Sequence, residues 1–284
     1  MTSPKTGRLL IAAAALLWST GGLVIKLLPL TAFGVVFWRS LLSSLFLFVV
    51  FRPGLAGMKR ASLGTAIVYA GMILSFVSAT KMTTAANAIF LQYTGPLYVL
   101  ALAPFLLKER FRKADAVALL AALGGMSLFF VGRLERGQLA GNLVAVLSGV
   151  FFGGTVLLLR RDTKKDPIAS MIAGNLLAAA LAFPFAGALR LDAKSTALVL
   201  FLGIVQMGIS YILFVRGLAV VEAAEASLIG MLEPMFNPVW AFLGVGERPS
   251  QWAILGGAIV LVAIALRTVH AARRAPSPVA NAAV

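Results

Sequence analysis

The sequence predicts an all-α integral membrane protein in which ten transmembrane helices form two inverted five-helix repeats. Three observations lead to this prediction. Hydrophobic residues make up 60% of the chain and charged residues 12%, against about 45–50% and about 25% in an average soluble domain. Apolar runs of membrane-spanning length follow one another along almost the whole chain. Residues 93–110 and 231–248 also share a pattern, which indicates an internal duplication.

The ten spans are separated by charged residues and by Gly/Pro clusters. A helix needs about 20 apolar residues to cross a bilayer core of about 30 Å, so 284 residues hold ten spans with short connections and no separate soluble domain. The weakest boundary is the turn LLPLT at 27–31, without which the count is nine. The predicted spans are 9–28, 31–51, 62–80, 85–107, 114–131, 139–159, 168–189, 195–215, 222–245 and 250–267.

The distribution of basic residues predicts the orientation of the chain. With the N-terminus inside, most of the 25 Lys and Arg residues fall in loops on the inner side, as in the segments 108–113 and 160–165. Such an excess marks cytoplasmic loops, so both termini are expected in the cytoplasm. The net charge of +15 is therefore an orientation signal. No basic segment with interleaved aromatic residues predicts nucleic-acid binding.

The duplication is visible when one segment is shifted by 138 positions onto the other. An odd number of spans per repeat would insert the second copy upside down, an arrangement that recurs in transporters. The predicted units are an N-terminal repeat over 1–136, a C-terminal repeat over 137–270 and a disordered cytoplasmic tail over 271–284. The shift superposes Pro96, Ala103, Glu109 and Arg110 on Pro234, Ala241, Glu247 and Arg248.

The composition argues against most enzyme chemistry. The chain has no cysteine, and its one histidine, His270, follows the last apolar run in a basic segment. Thiolate catalysis and Cys-based metal sites are thereby excluded, and we expect neither catalytic residues nor a metal nor a cofactor. The ATP-binding pattern GxxxxGK[ST] is absent as well. We therefore expect that this chain does not consume ATP, and the sequence does not imply an ATPase subunit.

Three short patterns give the chain a family resemblance. LLWSTGG in the first span, TTAANA at the start of the fourth and the Pro…Glu-Arg ends of spans four and nine resemble the EamA-type ten-helix exporters of the drug/metabolite transporter superfamily. LLWST is the main string shared with the YddG-type aromatic amino acid exporters. The resemblance implies a bacterial inner-membrane carrier that exports small metabolites, most of all aromatic amino acids, by alternating access through a midplane cavity. The alternative is a membrane-embedded lipid flippase or lipid-modifying enzyme.

Glu233 is the most informative residue of the ninth span. A charge near the bilayer centre costs roughly 2.5–3.5 kcal/mol, so we expect this side chain to face protein or water. Two roles stay open for it: binding a substrate ammonium or exchanging a proton, and bonding as a protonated carboxyl to backbone freed by Pro234 and Pro238. These two prolines and Pro96 are expected to kink their helices.

The candidate substrate-binding residues are polar or aromatic side chains on the spans that the resemblance places along the central path. Packing is the alternative role for most of them. Arg39 is expected to reach the interface or to form a structural ion pair, and Glu222 and Glu225 to stabilise the start of span nine. The expected partners are an amino acid-like substrate and the bilayer, for a monomer or a weak homo-oligomer. The candidates are Trp18, Ser75, Gln92, Tyr93, Tyr98, Phe152, Gln206, Ser210, Tyr211, Glu233, Asn237 and Trp240.

Overall fold

The structure is a computed structural model that describes residues 3–83, 85–109, 112–128, 139–162, 165–187, 190–245 and 251–274. Every regular element in these ranges is helical. The first eight helices are α1 Pro4–Trp18, α2 Gly21–Leu27, α3 Ala32–Phe51, α4 Gly54–Met58, α5 Leu63–Met82, α6 Ala85–Gln92, α7 Gly95–Leu106 and α8 Lys113–Ser127.

The remaining helices follow residue 138. Helix α10 ends in a short 3₁₀ turn, Phe183–Phe185, and a π-helical segment, Phe201–Ile209, joins α11 to α12. These helices are α9 Leu139–Arg161, α10 Pro167–Ala182, α11 Ala193–Leu200, α12 Ser210–Leu218, α13 Ala223–Gly230, α14 Leu232–Val245 and α15 Gln251–Arg274. The predicted boundary between residues 136 and 137 lies outside the described residues, and α15 continues past the predicted start of the tail at residue 271.

Seven helical segments of the described chain are long and apolar enough to cross a membrane. They agree with seven of the predicted spans, and the all-helical membrane class is confirmed. Helix α15 contributes a shorter apolar stretch, Ile254–Arg267. The count of ten and the inversion of the repeats stay predictions. The seven segments are Pro4–Leu27, Ala32–Phe51, Leu63–Met82, Asn87–Leu106, Leu139–Arg161, Pro167–Phe185 and Ala193–Leu218.

Polar caps fix where several of these helices begin. The hydroxyl of Thr31 accepts a hydrogen bond from Gly34 N at 3.0 Å, and Ser62 caps α5 in the same way. Asp166 and Asp192 accept from backbone N–H groups at the starts of α10 and α11. Such caps satisfy donors that the first helical turn leaves without intrahelical partners. The apolar runs therefore start as helices at defined residues.

Glycines allow close approach between helices that pack extensively. The best-packed pairs are α5 with α9, α3 with α10, α8 with α15, α5 with α10 and α1 with α12. A Cβ added to Gly125 in α8 would lie 2.8 Å from the carbonyl oxygen of Gly256 in α15. A Cβ at the adjacent Gly124 would meet nothing within 4 Å. Small residues serve this purpose at membrane helix interfaces.

Gly125→Ala should therefore lower the stability of the protein, because the methyl group would push α8 away from the backbone of α15. We expect a loss of about 1–3 kcal/mol, as for other overpacked contacts. Thermal unfolding of the purified protein in detergent measures it. Gly124→Ala is the matched control and should be neutral or stabilising by up to about 1 kcal/mol through helix propensity. Equal melting temperatures for the two variants would contradict the α8–α15 contact.

Three of the long helices are interrupted midway. The interruptions fall at Ser19–Thr20 between α1 and α2, at Tyr93–Thr94 between α6 and α7, and at Met231 between α13 and α14. Pro96 and Pro234 lie in the first turns of α7 and α14. A proline there has no intrahelical donor to lose. The chain thus restarts a helix just before each of these two prolines.

Candidate transport site

A buried cavity of about 40 Å³ lies where the interrupted helices meet. Trp18 ends α1, Gln92 ends α6, and Glu233 lies in the first turn of α14. Gln206 and Met207 belong to the π-helical segment. The cavity thus collects residues from places where regular helical hydrogen bonding changes. The remaining lining residues are Arg39, Met72, Ile73, Phe76, Phe152 and Tyr211.

Half of the sequence-predicted site residues line this cavity. They are polar or aromatic residues that stand out within apolar spans. Sequence reasoning missed Met72, Ile73, Phe76 and Met207, which carry no signal because apolar residues are ordinary in apolar spans. The predicted residues that line the cavity are Trp18, Gln92, Phe152, Gln206, Tyr211 and Glu233.

Several other predicted residues bond elsewhere. Ser75 and Ser210 donate to carbonyl groups of their own helices. Trp240 Nε1 donates to Ser19 Oγ at 2.6 Å, at the interruption between α1 and α2. Tyr98 is half-buried and does not line the cavity. The structure therefore leaves these four side chains outside the cavity wall.

The candidates Glu233, Asn237 and Trp240 are spaced i, i+4 and i+7 and are predicted to form one stripe of span nine, which falls partly outside the described side chains. The side chains of Asn237 and Pro238 are not among those described. Glu233 lines the cavity, whereas Trp240 bonds to Ser19. The two described members of the stripe thus have different surroundings.

Tyr93 joins the two interrupted helices at the cavity. Its Oη lies 2.6 Å from the carbonyl oxygen of Gly230 and 2.7 Å from Glu233 Oε2. In a continuous helix the Gly230 carbonyl would accept from residue 234, but Pro234 has no N–H. Tyr93 therefore donates to the carbonyl that the proline frees, which is one of the two roles that the sequence left open for Glu233.

Counting hydrogens shows when both of these contacts can be hydrogen bonds. A tyrosine hydroxyl has a single hydrogen, and a backbone carbonyl only accepts. If that hydrogen goes to Gly230 O, the 2.7 Å contact between Tyr93 Oη and Glu233 Oε2 is a hydrogen bond only when the carboxyl supplies the second hydrogen. Both contacts are satisfied together by a protonated Glu233.

Arg39 lies in the interior of the bundle, so the predicted reach to the interface is wrong. Its residue is 4% exposed, and its Nη2 donates to Gln206 Oε1 at 3.1 Å. Nε and Nη2 also contact the sulfur of Met207. Among the residues described, no ion pair joins Arg39 to Glu233, although both line the cavity. The α3 backbone holds the guanidinium too deep for its stem to reach the interface.

A set of ion pairs closes one end of the bundle, and we call it the terminal ion-pair network. Arg267 of α15 pairs with Asp115 of α8, and its Nη1 lies 3.8 Å from Glu225 of α13. Glu225 also binds Arg8 of α1 at 2.8 Å. Two further pairs, Arg160–Glu109 at 3.0 Å and Arg112–Glu222 at 2.8 Å, belong to the same network.

Glu222 and Glu225 lie at the start of α13, as predicted, but their side chains bond to other helices. Glu222 occupies the N-cap position of α13, but its side chain makes no capping hydrogen bond. Instead Glu109 Oε2 accepts from Ala223 N at 3.0 Å. The carboxylates of Glu222 and Glu225 turn to arginines of other helices because a charged partner outweighs a backbone N–H in this crowded region.

The comparison with known proteins identifies the family. The EamA-like transporter family matches residues 5–131 and again 139–269. The chain belongs to this family. An uncharacterized transporter of Archaeoglobus fulgidus is 26% identical over 92% of this chain and 96% of its own length. The pseudopaline exporter CntI of Pseudomonas aeruginosa strain UCBPP-PA14 is 22% identical over 91% of this chain and 94% of its own.

A solved crystal structure has the same fold as this family member. It superposes with a TM-score of 0.81 at 21% identity, over 96% of this chain and 100% of that one. The family and the names of the relatives confirm a multi-pass membrane transporter of the drug/metabolite class. Four of the five ion pairs named for the terminal network join a residue of the first matched segment to a residue of the second, while Arg267–Glu225 lies within the second.

Proposed function

We propose that this chain is an alternating-access exporter of small metabolites in the bacterial inner membrane, with aromatic amino acids as its substrates. The observation that carries the proposal is the buried cavity between the two family segments. The first segment contributes residues such as Trp18, Arg39 and Gln92, and the second contributes residues such as Phe152 and Glu233. A site shared by two halves changes its exposure when the halves move against each other.

The positions of the interruptions support two repeats of inverted topology. The shift of 138 positions that superposes the Pro…Glu-Arg patterns also brings Tyr93, at one interruption, onto Met231, at another. Tyr93 bonds to Gly230 and Glu233 across this pair of interruptions. Corresponding points of the two repeats therefore meet beside the cavity, as expected for a midplane site between related halves.

The lining of the cavity suits a substrate with an apolar or aromatic body. Trp18 and Tyr211 lie with ring centroids 4.8 Å apart, and Phe76 and Phe152 line the same space. Offset or tilted ring contacts add about 0.5–1.5 kcal/mol per pair beyond the burial of area. Met72 and Met207 add adaptable thioether surface. An aromatic side chain would find several such partners.

The structure fits a closed step of the transport cycle. A cavity of about 40 Å³ holds a few water molecules at roughly 10–15 Å³ each, whereas ligand sites usually measure about 300–1,000 Å³. The substrate therefore needs the halves to separate. The orientation expected from the basic residues puts the terminal ion-pair network on the cytoplasmic side, where its pairs hold the two halves together.

Transport in liposomes tests the proposal directly. Purified protein should give saturable flux of labelled phenylalanine, with weaker flux of threonine, because only the former fills the aromatic lining. Protein-free liposomes and liposomes with the Gly124→Ala variant are the controls, and the variant should transport like the wild type since residue 124 touches neither helix neighbour nor cavity. Lipid scrambling without solute flux would favour the flippase alternative instead.

Labelling tests the inverted topology without any substrate. The chain has no native cysteine, so single cysteines at Lys113 and Arg248 report the sidedness of each loop to a membrane-impermeant maleimide. We expect labelling of position 113 from the cytoplasmic side and of position 248 from the opposite side. Labelling of both positions from the same side would contradict the inverted repeat.

A further inference from the structure

Two hydrogen-bond donors in the cavity wall lack a protein acceptor. Trp18 Nε1 and Arg39 Nη1 are fully buried nitrogens with no hydrogen-bond partner in the described part of the chain. Their residues are 5% and 4% exposed, and both line the cavity. A buried donor without an acceptor is unfavourable, and a charged one more so. Since indole and guanidinium groups donate only, the partner that completes this wall is an acceptor.

The charge of Arg39 narrows the nature of that acceptor. Its protein contacts are the neutral amide of Gln206 and the thioether of Met207. Glu233 is the acidic residue of the cavity, and its contact with Tyr93 is satisfied when it carries a hydrogen. Water can accept from both free donors but does not neutralise a buried cation. An anionic acceptor does both.

Gln206 positions the guanidinium of Arg39 so that Nη1 has no protein acceptor in the described chain. Gln206 Nε2 donates to Trp18 O at 3.3 Å, while its Oε1 accepts from Arg39 Nη2. Gly21 leaves room for this side chain, because a Cβ there would lie 2.5 Å from Gln206 Nε2. The same glutamine thus holds both Trp18 and Arg39. Arg39 Nη1 is the guanidinium nitrogen that remains to donate to a ligand.

We propose that Arg39 Nη1 and Trp18 Nε1 together bind the carboxylate of the transported substrate. The proposal rests on the exporter function and narrows its substrates to carboxylates that carry an apolar body. The carboxylate would accept one hydrogen bond from each donor. The body of the molecule would then extend along Ile73, Phe76 and Phe152. The arrangement selects against amines that lack a carboxylate, since these leave Arg39 without a counter-ion.

Binding measurements on the full chain in detergent test this site apart from transport. Isothermal titration uses phenylalanine, 3-phenylpropionate, which lacks the ammonium, and phenethylamine, which lacks the carboxylate. Chloride is titrated as a simple anion. Three variants are compared with the wild type. Arg39→Gln removes the charge, Arg39→Lys keeps the charge without the fork, and Trp18→Phe removes the N–H while keeping a ring. Gly124→Ala is the control.

Arg39→Gln should raise the Kd for phenylalanine and 3-phenylpropionate by about 30-fold or more, as for other buried charge contacts, and leave that for phenethylamine unchanged. Trp18→Phe should raise the Kd for phenylalanine and for 3-phenylpropionate by about fivefold, the effect of losing one neutral hydrogen bond. Wild-type affinity for phenylalanine in Arg39→Gln, or equal weakening of all three ligands, would overturn the proposal. If Arg39→Gln does not fold, the same comparison with Arg39→Lys decides it.

Comparing these binding measurements with the flux measurements tests the carboxylate site and the exporter function separately. If phenylalanine is transported but the Arg39 variants do not selectively lose affinity for the carboxylate ligands, the carboxylate site is wrong and the exporter function stands. Arg39-dependent binding of 3-phenylpropionate without flux of any amino acid supports the site and overturns the exporter. If chloride binds in a manner that depends on Arg39 and no carboxylate binds, the assignment of the ligand as a carboxylate is wrong.

Discussion

Asp115→Asn should destabilise the protein by about 3–5 kcal/mol, the cost of leaving one member of a buried ion pair without its partner. The side chains of Arg267 and Asp115 are only 1% and 5% exposed. With a neutral residue at 115, the guanidinium keeps its charge far from water. Glu225, 3.8 Å from Arg267 Nη1, offsets only part of the loss because it already binds Arg8. Thermal and denaturant unfolding in detergent measure the effect.

Glu222→Gln is the control for this substitution. It breaks the Arg112–Glu222 pair, whose side chains are 41% and 33% exposed, and solvated pairs of this kind contribute about 0–1 kcal/mol. The double variant Asp115→Asn with Arg267→Met should recover part of the stability, since it removes both buried charges. Equal losses from the single variants at 115 and 222 would show that burial does not set the strength of these pairs.

The terminal ion-pair network also bears on the transport cycle. Its pairs connect α1 and α8 to α13 and α15, which belong to different family segments. Separation of the two halves at this end requires these pairs to break. Because the Arg267–Asp115 pair is buried, its opening lets water in around both charges, which lowers the cost of separating them. Under the proposed alternating access, the network would hold the two halves together at this end and yield during turnover.

The helices themselves were largely predictable because their signals are local. The sixth predicted span, 139–159, corresponds to α9 Leu139–Arg161, and the second, 31–51, to α3 Ala32–Phe51. Apolar length defines both, and the hydroxyl of Thr31 also caps α3. The interruption at Met231 and the π-helical segment Phe201–Ile209 were not predicted. Such irregular backbone depends on contacts between helices, as with Tyr93 at the freed carbonyl of Gly230.

The cavity was predictable only for residues that are unusual in an apolar helix. Gln92 and Glu233 stand out as polar, and Trp18 and Tyr211 as large aromatic rings with a polar group. Arg39 stood out too, but the sequence did not show that its partners lie 167 and 168 positions away at Gln206 and Met207. An arginine in a span is compatible with several depths, and only the packing of α3 against the π-helical segment decides among them.

Glu233→Gln should abolish the pH response of transport while the protein still folds. The glutamine amide can donate to Tyr93 Oη as the protonated carboxyl does, so the contact between the α6–α7 interruption and α14 survives. It cannot ionise. Among the described residues, the other ionisable groups near Glu233 are Tyr93, Arg39 from α3 and Tyr211 from α12. Phenol and guanidinium groups do not ordinarily lose a proton below about pH 9. We therefore expect a pH response of transport to come from Glu233.

The sign of the pH effect follows from the charge that Glu233 gains. As the pH rises, wild-type Glu233 ionises and attracts a substrate ammonium. The affinity for phenethylamine should therefore rise by about tenfold or more. This factor corresponds to one charge-assisted hydrogen bond of about 1.5–3 kcal/mol. In Glu233→Gln the affinity should stay at its low-pH level. Titration from pH 5.5 to 8.5 measures this, and Gly124→Ala, which lies outside both the cavity and the terminal ion-pair network, should keep the wild-type profile. If Glu233→Gln binds and transports like the wild type at every pH, then the carboxyl only braces the helix interruption, and the cavity discriminates its ligands through Arg39 and Trp18 alone.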